Sequence, residues 1–126
     1  MFQSPITRRW TLLLALPLLT ATSLAHADES ERDAIIAAIE TVKSKIQATA
    51  YRIDEVQKDI DKIEAEIDEY MKLFRESQKK EYEDAIEQAK IKLEVRRQTL
   101  ARLELQLHRY YIQLDDLERH LADLGG

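Results

Sequence analysis

From Asp28 to Leu124 the chain contains neither glycine nor proline. Those two residues are the usual means of ending a helix or turning a chain. A stretch this long that lacks both, and is rich in Ala, Glu, Lys, Leu, Ile and Gln, has α-helix as its default conformation. Ser30 followed by Asp33 resembles an N-terminal capping box, and Glu31 and Asp33 suit the positive end of a helix. Gly125 stands where a C-terminal stop belongs.

The spacing of apolar residues narrows the architecture. Ile35, Ile39, Val42, Ile46, Thr49, Ile53, Val56, Ile60, Ile63, Ile67, Tyr70 and Phe74 alternate steps of four and three without a slip. Tyr82, Ile86, Ala89, Leu93, Arg96, Leu100, Leu103, Leu107, Tyr110, Leu114, Leu117, Leu121 and Leu124 do the same. Each is a heptad seam of the coiled-coil kind. Thr49 and Arg96 are the polar intrusions. The two series do not share a phase, and the offset between them matches neither a three-residue stammer nor a four-residue stutter. One continuous rod is therefore disfavoured, and a turn within the polar stretch 75–81 explains the break.

An antiparallel hairpin requires each a residue of one arm to face a d residue of the other. Pairing Phe74 with Tyr82 also pairs Tyr70 with Ile86, Ile60 with Arg96 and Ile35 with Leu121, every layer mirroring about residue 78. Lys72 and Arg75 suit the end of the first helix, and Glu81, Glu83 and Asp84 the start of the second. Lys79 and Lys80 fit that pattern less well. The register also places Glu64 near Lys90 and Glu66 near Lys92. The expected fold is all-α: a two-helix coiled-coil hairpin with helix 1 at about 30–75 and helix 2 at about 80–124, able to complete a four-helix bundle by dimerisation.

Residues 1–27 differ in kind. Arg8 and Arg9 precede an apolar run from Trp10 to Leu19, and small residues follow, ending Ala25-His26-Ala27. That is the layout of a cleavable signal peptide with an Ala-x-Ala site before Asp28. The run is shorter than the roughly 18 apolar residues that a membrane span needs. The paired arginines are compatible with general secretion and with twin-arginine export. The expected product, residues 28–126, is exported, and periplasmic if the source is a Gram-negative bacterium. Cleavage removes two of the 19 basic residues and none of the 24 acidic ones, so the formal charge moves from −5 to −7. A net acidic chain argues against nucleic acid as a partner and against adsorption on anionic lipid. With no cysteine, neither disulfides nor a lipoprotein anchor can contribute, and stability must come from packing.

Little in the chain suggests chemistry. His108 follows Glu104 by four residues and His120 follows Asp116 by four, so each pair shares a helix face. No Glu-x-x-His motif or cysteine accompanies them, and the first helix carries no histidine to complete a bundle metal site. No nucleophile–base pattern or phosphate-cradling glycine loop is present. The reading is a non-enzyme without metal or other cofactor. Thr49 and Arg96 read as register-setting seam positions, with Arg96 able to lift its charged head out of the seam.

Ile91, Val95, Leu105 and Ile112 lie off the second seam, at f and c positions facing away from helix 1. Gln98, Arg102 and Arg109 interrupt this stripe. These four apolar residues are the candidate partner interface, toward another copy or another envelope protein. The function expected is a small exported helical interaction protein. A periplasmic holdase-like chaperone is the alternative, though no separate oligomerisation domain is visible from which arms could project.

In size, export signal and helicity the chain resembles several groups of small secreted helical proteins. One of them is encoded with conjugative elements and named for an Arg-Ala-Gln-Pro-Arg-Asp motif. That motif is absent here, so no residue role carries over; the resemblance implies only an accessory role in a conjugation or secretion system. The export reading makes a direct prediction. Mass spectrometry of the protein recovered from the producing cell should find Asp28 at the N-terminus, and a product retaining Trp10 would refute it.

Overall fold

The computed structural model describes residues 24–125. The expected leader falls on residues 1–27, most of which lie outside that range. Two helices account for the described chain: α1, Leu24–Ser77 (54 residues), and α2, Lys80–Gly125 (46 residues). They form the antiparallel helical hairpin that the phase break requires. The chain reverses at Gln78 and Lys79, inside the polar stretch and at the mirror point of the two seams.

Because the sequence offers no glycine there, the reversal is made by an ordinary L-residue. Gln78 has φ 59°, in the left-handed region that glycine usually fills at the end of a helix. Its backbone N–H donates to the Phe74 carbonyl at 2.7 Å, the single bond that defines a left-handed helix stop. Its side-chain Nε2 donates to the Arg75 carbonyl at 3.4 Å. Two carbonyls of the last turn, which no amide within the helix can reach, are thereby satisfied. On the far side the Tyr82 N–H donates to the Lys79 carbonyl at 3.1 Å, opening α2. Arg75 in the last turn of α1 and Glu81 and Glu83 in the first turn of α2 oppose the helix dipoles. Lys80, a poor choice beside a positive helix end, is paired with Asp84 at 3.5 Å.

The described chain forms two compact units. One is Lys45–Tyr111, which holds the turn; the other joins the described part of α1 up to Ser44 with the described part of α2 from Ile112 on. In the turn unit, Ile60, Ile67, Ala89 and Leu93 form a buried cluster, with Val56, Ile63 and Leu100 packed against it. The cluster contains both members of the layers Ile67/Ala89, Ile63/Leu93 and Val56/Leu100 that the register pairs. Nearer the turn, the Tyr70 and Tyr82 rings lie with centroids 6.4 Å apart, tilted by 32°, a separation at which aromatic rings attract. In the terminal unit Ile35, Ile39, Val42 and Leu117 are buried. Each buried Ile or Leu contributes about 1.5–3 kcal/mol of transfer free energy. That packing, rather than helix propensity, is what holds two such helices together.

The terminal unit also shows how α2 ends. Its last turn has no basic residue of its own, and the Arg32 Nη2 of α1 donates to the Leu124 carbonyl at 3.5 Å. α1 runs through Ser30 from Leu24, so Ser30 lies within the helix and not at its cap. Ala25 to Glu29 contain no breaker, and a helix once formed extends through such residues.

The strained stop yields a prediction. Gln78→Gly should raise the unfolding free energy by about 0.5–1 kcal/mol, because relief of the left-handed strain outweighs the entropy glycine adds to the unfolded chain. Urea denaturation followed by circular dichroism would measure it, and a lower midpoint would show that Gln78 holds the turn by its side chain.

Candidate functional site

The two polar seam residues differ in structure. Thr49 is buried, with 7% of its surface exposed. The hydroxyls of Thr41, Ser77 and Thr99 each donate to the carbonyl four residues back, at 3.1, 2.9 and 3.0 Å. The Thr49 hydroxyl makes no such bond among the described residues. Arg96 leaves the seam altogether. Its side chain is 47% exposed, and Nε lies 3.6 Å from Asp59 Oδ2 on α1. Ile60, which the register sets opposite, stays buried, within the cluster that Val56, Ile63 and Leu100 pack against.

A second interhelical ion pair lies beside it. Arg97 Nη2 is 2.8 Å from Glu64 Oε2. The Glu64 partner is thus Arg97, one heptad from the Lys90 that the register suggested. Flanking positions of an antiparallel pair offer a carboxylate two diagonal neighbours, and the longer guanidinium fork wins here. Half-exposed pairs of this kind contribute up to about 1 kcal/mol each, so they favour a register without creating it.

His108 and His120 are exposed. Among the described residues no three of His, Cys, Asp and Glu gather in a way that could hold a metal ion. No described helix is long and apolar enough to cross a membrane.

The apolar stripe of α2 stands open. In the turn unit Ile91, Val95 and Leu105 retain 59%, 52% and 49% of their surface. Ile112, in the terminal unit, retains 50%. The Ile91, Val95 and Leu105 side chains are on the helix face opposite the buried Ala89, Leu93 and Leu103, so α1 cannot cover them.

A basic groove lies on the same unit, and counting net charge alone hides it. Between Lys45 and Ile53 α1 has no acidic residue, and between Val95 and Tyr111 α2 has only Glu104. The antiparallel register brings these two acid-poor intervals side by side. Arg52 from α1 and Arg102 and Arg109 from α2 line one open groove of about 450 Å³ together with Thr99, Leu103, Leu105 and Gln106. No carboxylate pairs with any of the three arginines among the described residues. Arg102 Nη2 donates to Thr99 Oγ1 at 3.4 Å, and Gln106 Nε2 donates to the Tyr110 hydroxyl at 3.1 Å. Lys45 Nζ sits 6.0 Å from the Tyr110 ring centroid, within cation–π range. Elsewhere in the unit Lys58, Lys80, Arg96 and Arg97 are held by carboxylates. The Lys58 amine is the clearest case: a hydrogen bond from it to Asp54, then the charges of Asp54 and Glu55, hold it above its ordinary value. The signal for the groove was present in the sequence as an interruption in the acids, not as an excess of bases.

No protein-family model, curated protein or solved structure matches the chain.

Thr49 supplies a test of the seam. A buried hydroxyl without a partner costs about 1–3 kcal/mol, so Thr49→Val should raise stability by about 1 kcal/mol. A denaturant midpoint at or below that of the parent would mean that the hydroxyl is satisfied in solution.

Proposed function

We propose that this is an exported helical interaction protein that works by pairing with a second copy of itself through the outer face of α2. The observation that carries the reading is the open trio Ile91, Val95 and Leu105, each about half exposed on a helix whose opposite face is already buried. A two-helix hairpin has one seam, and a chain this short buries less of its apolar surface than a larger domain does. Two hairpins packed α2 against α2 would bury the trio twice over and give a four-helix bundle. The reading involves no catalysis and no cofactor. It places the protein outside the cytoplasm on the strength of the signal-peptide pattern in residues 1–27, where binding to another envelope protein through the same face is the competing arrangement.

Multi-angle light scattering of the purified protein tests it. The expected mass is at least twice that of one chain at micromolar concentration, falling to one chain in Ile91→Lys/Leu105→Lys, with helicity by circular dichroism retained. A parent that stays monomeric up to millimolar concentration would sink self-assembly and leave the face to a different protein.

A further inference from the structure

We infer that the groove between α1 and α2 lined by Arg52, Arg102 and Arg109 is a binding site for a phosphate monoester. The groove shares Leu105 with the proposed pairing face, and the inference rests on what the three arginines lack. On its own helix, neither Arg102 nor Arg109 has an acidic residue three or four positions away: Gln98, Thr99, Leu105 and Gln106 flank the first, and Leu105, Gln106, Ile112 and Gln113 the second. Glu55, the one acidic residue so placed for Arg52, lies 3.7 Å from Lys58 instead. Across the hairpin the same holds, since Asp59 and Glu64, the acids that meet α2 arginines, meet Arg96 and Arg97. Three guanidiniums that repel one another are thus collected on one groove with no counter-charge, in a chain whose formal charge is −5.

The donor set selects the ligand. A carboxylate has two oxygens and one charge, which a single arginine fork satisfies. A phosphate monoester carries close to two negative charges and three strong acceptor oxygens, enough to engage several forks at once. The groove adds a neutral donor in the Gln106 amide, which keeps a second N–H beside the one given to Tyr110, whereas the Thr99 hydroxyl is committed to the Val95 carbonyl. Its volume of about 450 Å³ admits the phosphate and a few atoms of whatever bears it. Leu103 and Leu105 form its apolar part, and Tyr51, 66% exposed, neighbours Arg52 in sequence. The phosphate can come from a soluble ester or from a lipid headgroup.

Isothermal titration of the purified protein with glycerol 3-phosphate, and sedimentation with phosphatidylcholine vesicles with and without phosphatidate, test the site and separate the sources. Saturable glycerol 3-phosphate binding with vesicles left in solution assigns a soluble ester. Sedimentation that depends on phosphatidate, without glycerol 3-phosphate binding, assigns a headgroup. Both together, with glycerol 3-phosphate displacing the vesicles, assign one groove that accepts either. In each case Arg52→Gln/Arg109→Gln should weaken binding at least tenfold with helicity intact. Arg119→Gln, which removes an arginine already paired with Asp115, should leave it unchanged. The proposal is overturned by no binding in either arm, by the double variant binding like the parent, or by acetate at equal ionic strength competing as well as glycerol 3-phosphate.

Discussion

The hairpin depends on one continuous line of contact. Two long helices have no stability of their own to spare in water, and what fixes them is the interdigitation of Ile60 and Ile67 with Ala89 and Leu93, supported by Val56, Ile63 and Leu100. Every other feature is arranged around keeping that line in one register. The Arg96–Asp59 and Arg97–Glu64 pairs flank it, Arg96 yields its seam position by moving its charge outward, and the turn is placed so that both strings of apolar residues stay in phase. Shifting one helix by a single residue would carry every buried side chain off the line, which is why the four-three spacing tolerates so few exceptions.

That dependence explains what could be read in the residues beforehand. The seam was legible because a heptad repeat is redundant: each layer repeats the instruction of the last. The turn was legible as a loss of phase, and its centre fell on Gln78 because an antiparallel pair must mirror about its own reversal. The left-handed backbone of Gln78 was not legible, since glutamine carries no propensity for it and the conformation is imposed by the two arms. The choice of Arg97 over Lys90 by Glu64 was also hidden, because flanking side chains choose between diagonal neighbours by reach and rotamer, which spacing does not encode.

The surfaces were legible to different degrees. Ile91, Val95 and Leu105 stand out in sequence because they are apolar where the repeat expects polar residues, and the structure leaves them open. The arginine groove is not legible in the net charge, which is a total over both helices. Electrostatics acts over a Debye length of about 8 Å at physiological salt, so a local surplus on one face is felt there whatever the sign of the whole chain. Arg52 is also far in sequence from Arg102 and Arg109, and only the antiparallel register brings it to them.

The turn, only Gln78 and Lys79 long, has a consequence for how the molecule comes together. Contacts beside it, such as Tyr70 with Tyr82, join residues close in sequence, and closing so short a loop costs little entropy. The Arg32–Leu124 hydrogen bond joins residues 92 positions apart. Closure is therefore expected to start at the two tyrosines and zip outward, each new layer adding a small loop to those already shut. The same gradient runs in reverse on opening: the chain ends separate first, and the tyrosine pair is the last contact to be lost.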